Sequence, residues 1–306
     1  MFSLNYKFVF FTWMGLCLAF NAYAESKTIA FAQDTMGNDF RKAQVYEVRD
    51  ALSKYPELKF VSSDAKGQTS LLIHQIEGFI TDKADVIVVG TNDEKAVVPV
   101  IAKAYKSGIP VIILDRGIQG DQYTTFINSD NIKIGKIGAE YIAKRLGGKG
   151  KVLLFEGLQK ADVTKLRTKG FMDEISKYKG ISVIKRTGNY LRKDAIIEME
   201  KLIASGEKVN AIFAESDSMV SGARSAMERH GIDPSTIITI GCDYTSEARD
   251  AIRQGSQTGS ILFPLGGDKS AKIAIKILNG EKVPKHIVIP VKLITKENVE
   301  AERPIF

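Results

Sequence analysis

Pro110-Val111-Ile112-Ile113-Leu114-Asp115-Arg116-Gly117 decides how the chain is read. Four apolar residues in a row, two of them isoleucine, predict a strand buried on both faces, as in a parallel α/β sheet. The run stops at Asp115-Arg116, and Gly117 lets the chain turn away. In such sheets, ligands sit in the crevice beyond the carboxyl ends of the strands. A carboxylate beside a guanidinium there accepts from one hydroxyl and donates to its neighbour, which suits a small polyhydroxyl ligand. On an open surface the same two residues would be a weak ion pair capping the strand.

Working outward, short apolar strands alternate with amphipathic helical stretches. Strands are predicted at 28–32, 58–62, 85–89, 111–114 and 124–127, with helices at 41–54, 70–81 and 95–107 between them. At Asn128-Ser129-Asp130-Asn131 the pattern changes, and a helix over 132–146 ends at Gly147-Gly148. The alternation then restarts, with strands at 151–155, 182–186, 211–214, 237–241 and 260–263. Helices are predicted near 168–178, 193–204, 219–230 and 246–254. A helix over 267–278 and a strand over 286–291 close the chain. Two β/α series of similar length predict two doubly wound, Rossmann-like lobes. The closing helix and strand would cross back, giving a three-strand hinge. The expected division is 25–128 plus 264–288 for the N-terminal lobe and 129–263 plus 289–306 for the C-terminal lobe.

Residues 1–24 stand apart from both lobes. Lys7 is followed by a nearly continuous apolar run over 8–20, and Ala22-Tyr23-Ala24 has the small-x-small form of a leader-peptidase site. This is the pattern of a secretory signal cleaved after Ala24. Its apolar run is shorter than the roughly 20 residues a membrane span requires. Cleavage would leave Cys242 as the single cysteine and so no intramolecular disulfide, which fits a periplasmic α/β protein held by its core alone. The chain carries 43 Lys and Arg against 36 Asp and Glu. The basic residues are scattered over predicted helices with no aromatic interleaving, which argues against nucleic acid as a partner.

Several chemistries lack their residues. His74, His230 and His286 have no metal-ligand spacing. Gly267-Asp268-Lys269-Ser270 resembles the end of a phosphate loop, but Asp268 and Phe263 occupy the positions of its two glycines. No dinucleotide fingerprint follows the first strand, and Glu215-Ser216-Asp217 lacks the flanking glycines of a nucleophile elbow. Neither a metal nor a cofactor is expected, and no nucleophile–base pair is evident.

Polar and aromatic residues instead collect at the strand ends. Asp34, Asn38, Phe40 and Arg41 follow the first strand, Asn92 and Asp93 the third, Asp115 and Arg116 the fourth. In the second series come Asp162, Thr164 and Lys165, then Asn189 and Tyr190, Ser216 and Asp217, and Asp243. Aromatic faces cover the C–H side of a sugar ring while charged groups take its hydroxyls. Singly, each polar residue could be a helix cap, Asp217 and Asn92 above all. Caps alone explain poorly why so many gather at one end of both sheets.

These residues resemble those of the periplasmic binding proteins of the ribose/galactose type, the type I sugar-capturing components of ABC importers. The likeness spans nearly all of 25–306. It rests on Val111-Ile112-Ile113-Leu114-Asp115-Arg116, Ser129-Asp130-Asn131, Arg167-Thr168-Lys169-Gly170-Phe171, Ala214-Glu215-Ser216-Asp217-Ser218-Met219 and Ile240-Gly241-Cys242-Asp243. The loop Gly37-Asn38-Asp39-Phe40-Arg41 and the turn Asp64-Ala65-Lys66-Gly67-Gln68 lean toward the galactofuranose-binding branch. The resemblance implies two lobes closing over one sugar, a membrane permease as partner, and no catalysis; because the helices and sheets complete their cores without 1–24, a monomer is expected. The resemblance also implies that Phe40 stacks on the ring, that Arg41, Asp115 and Arg116 bind hydroxyls, and that Asp243 binds from the other lobe. Lys165 matches a position where some relatives carry a binding arginine, and Tyr190 an aromatic one. Ser216 replaces the usual Asn, and Phe263 replaces the Gln of the ribose binders, so both make the site less polar. A sensor presenting its ligand to a membrane histidine kinase or chemoreceptor would use the same fold. A secreted hydrolase would need an acid and a base at a set separation.

Overall fold

The computed structural model describes residues 26–306, so the expected signal at 1–24 lies outside the described residues. The first run comprises β1 (Lys27–Gln33), α1 (Asp39–Leu52), β2 (Leu58–Asp64), α2 (Thr69–Thr81), β3 (Val86–Gly90), α3 (Val98–Lys106), β4 (Val111–Leu114) and β5 (Thr125–Ser129). Helix α4 (Asn131–Arg145) leads into β6 (Lys149–Glu156), α5 (Asp162–Ile175), β7 (Gly180–Thr187), α6 (Arg192–Ala204) and β8 (Ala211–Ala214). Next come α7 (Asp217–Arg229), β9 (Ile238–Asp243), α8 (Ser246–Gln254), β10 (Gly259–Leu262), α9 (Gly267–Leu278), β11 (His286–Ile289) and β12 (Lys292–Thr295).

Two six-stranded sheets result, ordered β11-β5-β4-β3-β1-β2 and β12-β10-β9-β8-β6-β7. Every pairing is parallel except that of β10 with β12. Strand alternation explains why each sheet is covered twice. From β1, Ala30 and Ala32 face Leu72, Ile76 and Ile101 of α2 and α3. Ile29 and Phe31 face Val45 and Val48 of α1 and Ala271 and Ala274 of α9 on the opposite side. In the second sheet Val152 and Leu154 meet Ile134 and Phe171, whereas Leu153 and Phe155 meet Met199, Leu202 and Val220. Each such Ile, Leu or Phe contributes about 1.5–3 kcal/mol by leaving water.

The chain passes between the sheets between β5 and β6, between β10 and β11, and between β11 and β12. The single strand expected over 286–291 is in fact two. Residues His286–Ile289 run parallel to β5, and Lys292–Thr295 run antiparallel to β10. Pro290 separates them: lacking an N–H, it cannot extend the ladder. At the preceding crossing Gly266 takes φ 77°, Gln44 donates to the Leu265 carbonyl at 2.8 Å, and Gly267 N–H donates to Glu47 at 2.6 Å.

Two helix starts also differ from expectation. Helix α3 begins at Val98 because Asp93 caps the turn before it, accepting from Lys95 and Ala96 N–H at 3.1 and 3.0 Å. Helix α5 begins at Asp162 rather than near 168, although Ala161 offers no capping side chain. Asp162 itself accepts from Val163 N–H at 2.8 Å.

Helices α4 and α5 touch backbone to backbone. A Cβ at Gly135 would lie 2.1 Å from the Arg167 carbonyl oxygen, and one at Gly170 would lie 2.1 Å from that of Ile132. Neither neighbour is a side chain that can swing aside. Gly135→Ala is therefore expected to destabilise the fold by about 1–3 kcal/mol through overpacking and to displace Arg167. A clear fall in melting temperature together with weakened ligand binding checks this; a neutral substitution would contradict the close approach.

Candidate ligand-binding cleft

The carboxyl ends of the strands in both sheets face one another across a cleft. Its central cavity, about 30 Å³, is lined by Asn38, Phe40, Arg41, Asp115, Arg116, Val163, Arg167, Tyr190, Ser216, Asp243 and Phe263. A space of this size holds about one or two waters, so admitting a sugar ring requires the two sides to part.

On one side, Asn38 caps α1 by accepting from Arg41 N–H at 3.2 Å, which sets Phe40 and Arg41 at the cleft. Arg41 is 1% exposed. Its guanidinium bonds Asp115 at 2.9 Å and Gln44 at 2.9 Å, and lies 3.6 Å from Asp34. Arg116 pairs not with its neighbour Asp115 but with Asp34, at 3.5 Å, and its guanidinium lies over the Tyr190 ring at 5.4 Å. Burial and then the nearby Arg41 charge lower the Arg116 pKa from the usual guanidinium range. Asp115 Oδ1 and Arg116 Nε are buried without a hydrogen-bond partner.

The other side is built from four strand ends and the first turns of α5. Arg167 donates to Asn131 Oδ1 at 2.8 Å and to the Glu215 carbonyl at 2.5 Å, and stacks over Phe263 at 4.6 Å. The Tyr190 hydroxyl meets Thr164 at 2.7 Å and Glu215 at 3.3 Å. Ser216 spends its hydroxyl on capping α7, accepting from Met219 N–H at 3.4 Å. Phe40 and Phe263 touch across the cleft, with ring centroids 5.4 Å apart at 31°. They form one apolar wall rather than two plates with a slot between them.

Backbone strain gathers at the same place. Asp115, Asn189, Tyr190, Asp243 and Tyr244 all have positive φ, between 53° and 112°. Each such non-glycine residue costs about 1–3 kcal/mol and persists only where its surroundings enforce it. Asp217 supplies part of that enforcement, accepting from Tyr244 N–H at 2.7 Å, Thr245 N–H at 3.2 Å, Ser260 at 2.7 Å and Gln257 at 2.9 Å. It braces the turn that presents Asp243.

Nine of the twelve residues expected from the sequence line the cavity. Asp34 lies behind them, 2% exposed, beneath both arginines. Asn92 lines an adjoining groove at the cleft mouth together with Asn189 and Asp194. Lys165 is 54% exposed and reaches across the mouth to Glu94 at 3.0 Å. Two further bonds join the sides: Gly117 N–H to Asp162 at 2.8 Å and Asn38 to the Tyr190 carbonyl at 3.2 Å. Arg167 and Val163 were not among the expected site residues. Arg167 became visible only through the earlier start of α5. Among the described residues, no cluster of His, Cys, Asp or Glu could hold a metal ion, and no helix is long and apolar enough to cross a membrane.

A family profile described as periplasmic binding protein domain matches residues 29–282. The ribose import binding protein of Haemophilus influenzae is 31% identical over 288 residues, covering 92% of this chain and 96% of its own. A solute-binding protein of an ABC transporter from Bacillus halodurans, solved with myo-inositol, superposes with a TM-score of 0.87 at 29% identity, covering 92% of this chain and 98% of that one. The fructose-binding periplasmic domain of a hybrid two-component system gives a TM-score of 0.84 at 27% identity, covering 90% and 92%.

The carboxyls behind the cavity set a pH dependence. Burial, against bonds from Gly157 N–H and Thr168, lifts Glu215 from 4.5 to about 7. Burial likewise lifts Asp217 from 3.8 to about 6. Between their unfolded and folded values these groups hold protons that the unfolded chain has released. Their stabilisation is full below the unfolded values and lost as pH rises through about 6–7. The melting temperature should therefore fall between about pH 5 and about pH 8, and Glu215→Gln should flatten that slope. A flat wild-type profile would show that these carboxyls are not protonated in the folded state.

Proposed function

The chain belongs to the periplasmic binding protein domain family, and on that premise we propose that it captures one monosaccharide in the cleft and delivers it to the membrane permease of an ABC importer. It is a binding protein and not an enzyme, as its family and relatives are. The residues we assign to the ligand are Phe40, Arg41, Asp115, Arg116, Tyr190, Asp243 and Phe263, with Arg167 added on geometry. The observation that carries the reading is a group of buried polar atoms without a hydrogen-bond partner, Asp115 Oδ1 and Arg116 Nε among them, at a cavity lined from both sheets. An acceptor and a donor at one cavity, both desolvated, match the hydroxyls of a sugar.

Ligand contacts drawn from both sides would stabilise the closed arrangement selectively and shift the population toward it. The Lys165–Glu94, Gly117–Asp162 and Asn38–Tyr190 links would form on that closure. We assign the protein to the periplasm, by the leader pattern at 1–24 and by its import-protein relatives. Delivery to an importer takes precedence over presentation to a sensor because an import binding protein reaches 31% identity over 92% of the chain, against 27% over 90% for the sensor domain.

A thermal-shift screen against monosaccharides tests the reading. A ligand at about 100 times its dissociation constant stabilises the fold by about 2.7 kcal/mol, a rise of a few degrees. With a ligand found, Arg116→Ala should weaken binding by about 2–5 kcal/mol while the free protein melts nearly as before, since losing the burial cost of the cation and its repulsion with Arg41 offsets losing its pair with Asp34. Normal affinity in this variant would take Arg116 out of the site. A panel with no hit would overturn the sugar reading itself.

A further inference from the structure

The cavity divides its chemistry unevenly. Asn38 and Tyr190 have their polar atoms engaged within the protein, and Ser216 accepts from Met219 N–H while keeping its O–H to donate. The other groups left to meet a ligand are Asp115, Arg116, the Asp243 carboxyl and the free edge of Arg167. Opposite that polarity stands the Phe40–Phe263 wall, which offers no donor or acceptor. Phe263 is 2% exposed, has the Arg167 guanidinium stacked on it and comes directly after β10. Its main-chain N–H donates to the Asp243 carbonyl at 3.3 Å, which ties the main chains of the two residues together. A hydroxyl turned toward this wall would lose its water and gain no partner.

We propose that the ligand is a sugar whose end against the Phe40–Phe263 wall bears only hydrogen, as in a 6-deoxyhexose or a pentopyranose, and that Phe263 sets this preference. The inference rests on the sugar reading of the same cleft and narrows it. An unmatched hydroxyl in an apolar pocket weakens binding about tenfold to a hundredfold.

The test is calorimetry and thermal shift on matched sugar sets. D-Galactose is compared with D-fucose and L-arabinose, D-glucose with D-quinovose and D-xylose, and D-allose with 6-deoxy-D-allose and D-ribose. In the set that binds, a member lacking the terminal hydroxyl should bind at least about tenfold tighter than its hexose. Phe263→Gln, which places an amide at the wall, should narrow or reverse the ranking, whereas Phe263→Leu should keep it. Should Phe263→Gln fail to fold, the wild-type ranking and Phe263→Leu still decide. A hexose binding as tightly as its counterparts overturns this inference and leaves the sugar reading intact. A preference unchanged in Phe263→Gln overturns the role of Phe263. No binding by any set overturns the sugar reading and this inference together.

Discussion

Arg41 is the residue on which the cleft depends. Its charge is almost wholly out of water, and such a charge is tolerated only when paired and hydrogen-bonded. Asp115 from the end of β4, Asp34 from the end of β1 and Gln44 from α1 meet that need together. One guanidinium thus ties the start of a helix to two strand ends. Gln44 carries the tie onward to the Leu265 carbonyl, where the chain passes between sheets. The charged side of the cavity is therefore arranged before any ligand arrives, which lowers the cost of ordering it on binding.

Strain is the counterpart of that order. The positive-φ residues at the ends of β4, β7 and β9 would relax if the loops were free. Those after β7 and β9 are held by bonds from Tyr190 and Tyr244 whose acceptors, Glu215 and Asp217, are themselves buried and raised in pKa. The cleft thus draws on the stability of the two cores, built from alternating faces of Val, Ile and Phe strands.

Much of this was legible in the sequence because parallel strands buried on both faces write themselves as apolar runs, and the first polar residues after each run stand at a strand end. That logic led to Asp115, Arg116 and Asp243, while Phe263 entered through the resemblance. It failed where pairing is long-range: the sequence neighbours Asp115 and Arg116 take different partners, Arg41 and Asp34, once Asp115 turns at φ 70°. It failed again at α5, whose start carries no side-chain cap. With the true start, helical spacing puts Val163, Thr164 and Arg167 on one face and turns Lys165 away. A lysine expected in the site therefore spans its mouth, and an arginine left out of the expected site lines it. The close approach at Gly135 and Gly170 leaves no pattern in a single sequence beyond two glycines.

The bond from Arg167 to Asn131 has a consequence for how the protein can diversify. Asn131 opens α4 just after the chain leaves the first sheet, so it lies on the crossing and not in the cavity, while Arg167 belongs to both. Selection acting on either one constrains the other. Changes of ligand taste that keep Arg167 can accumulate on the rest of the wall without disturbing the pivot. A change that removes Arg167 must be matched by a new partner for a buried amide at the crossing. Lineages that altered this arginine should show the repair at the crossing, at a residue outside the cavity lining.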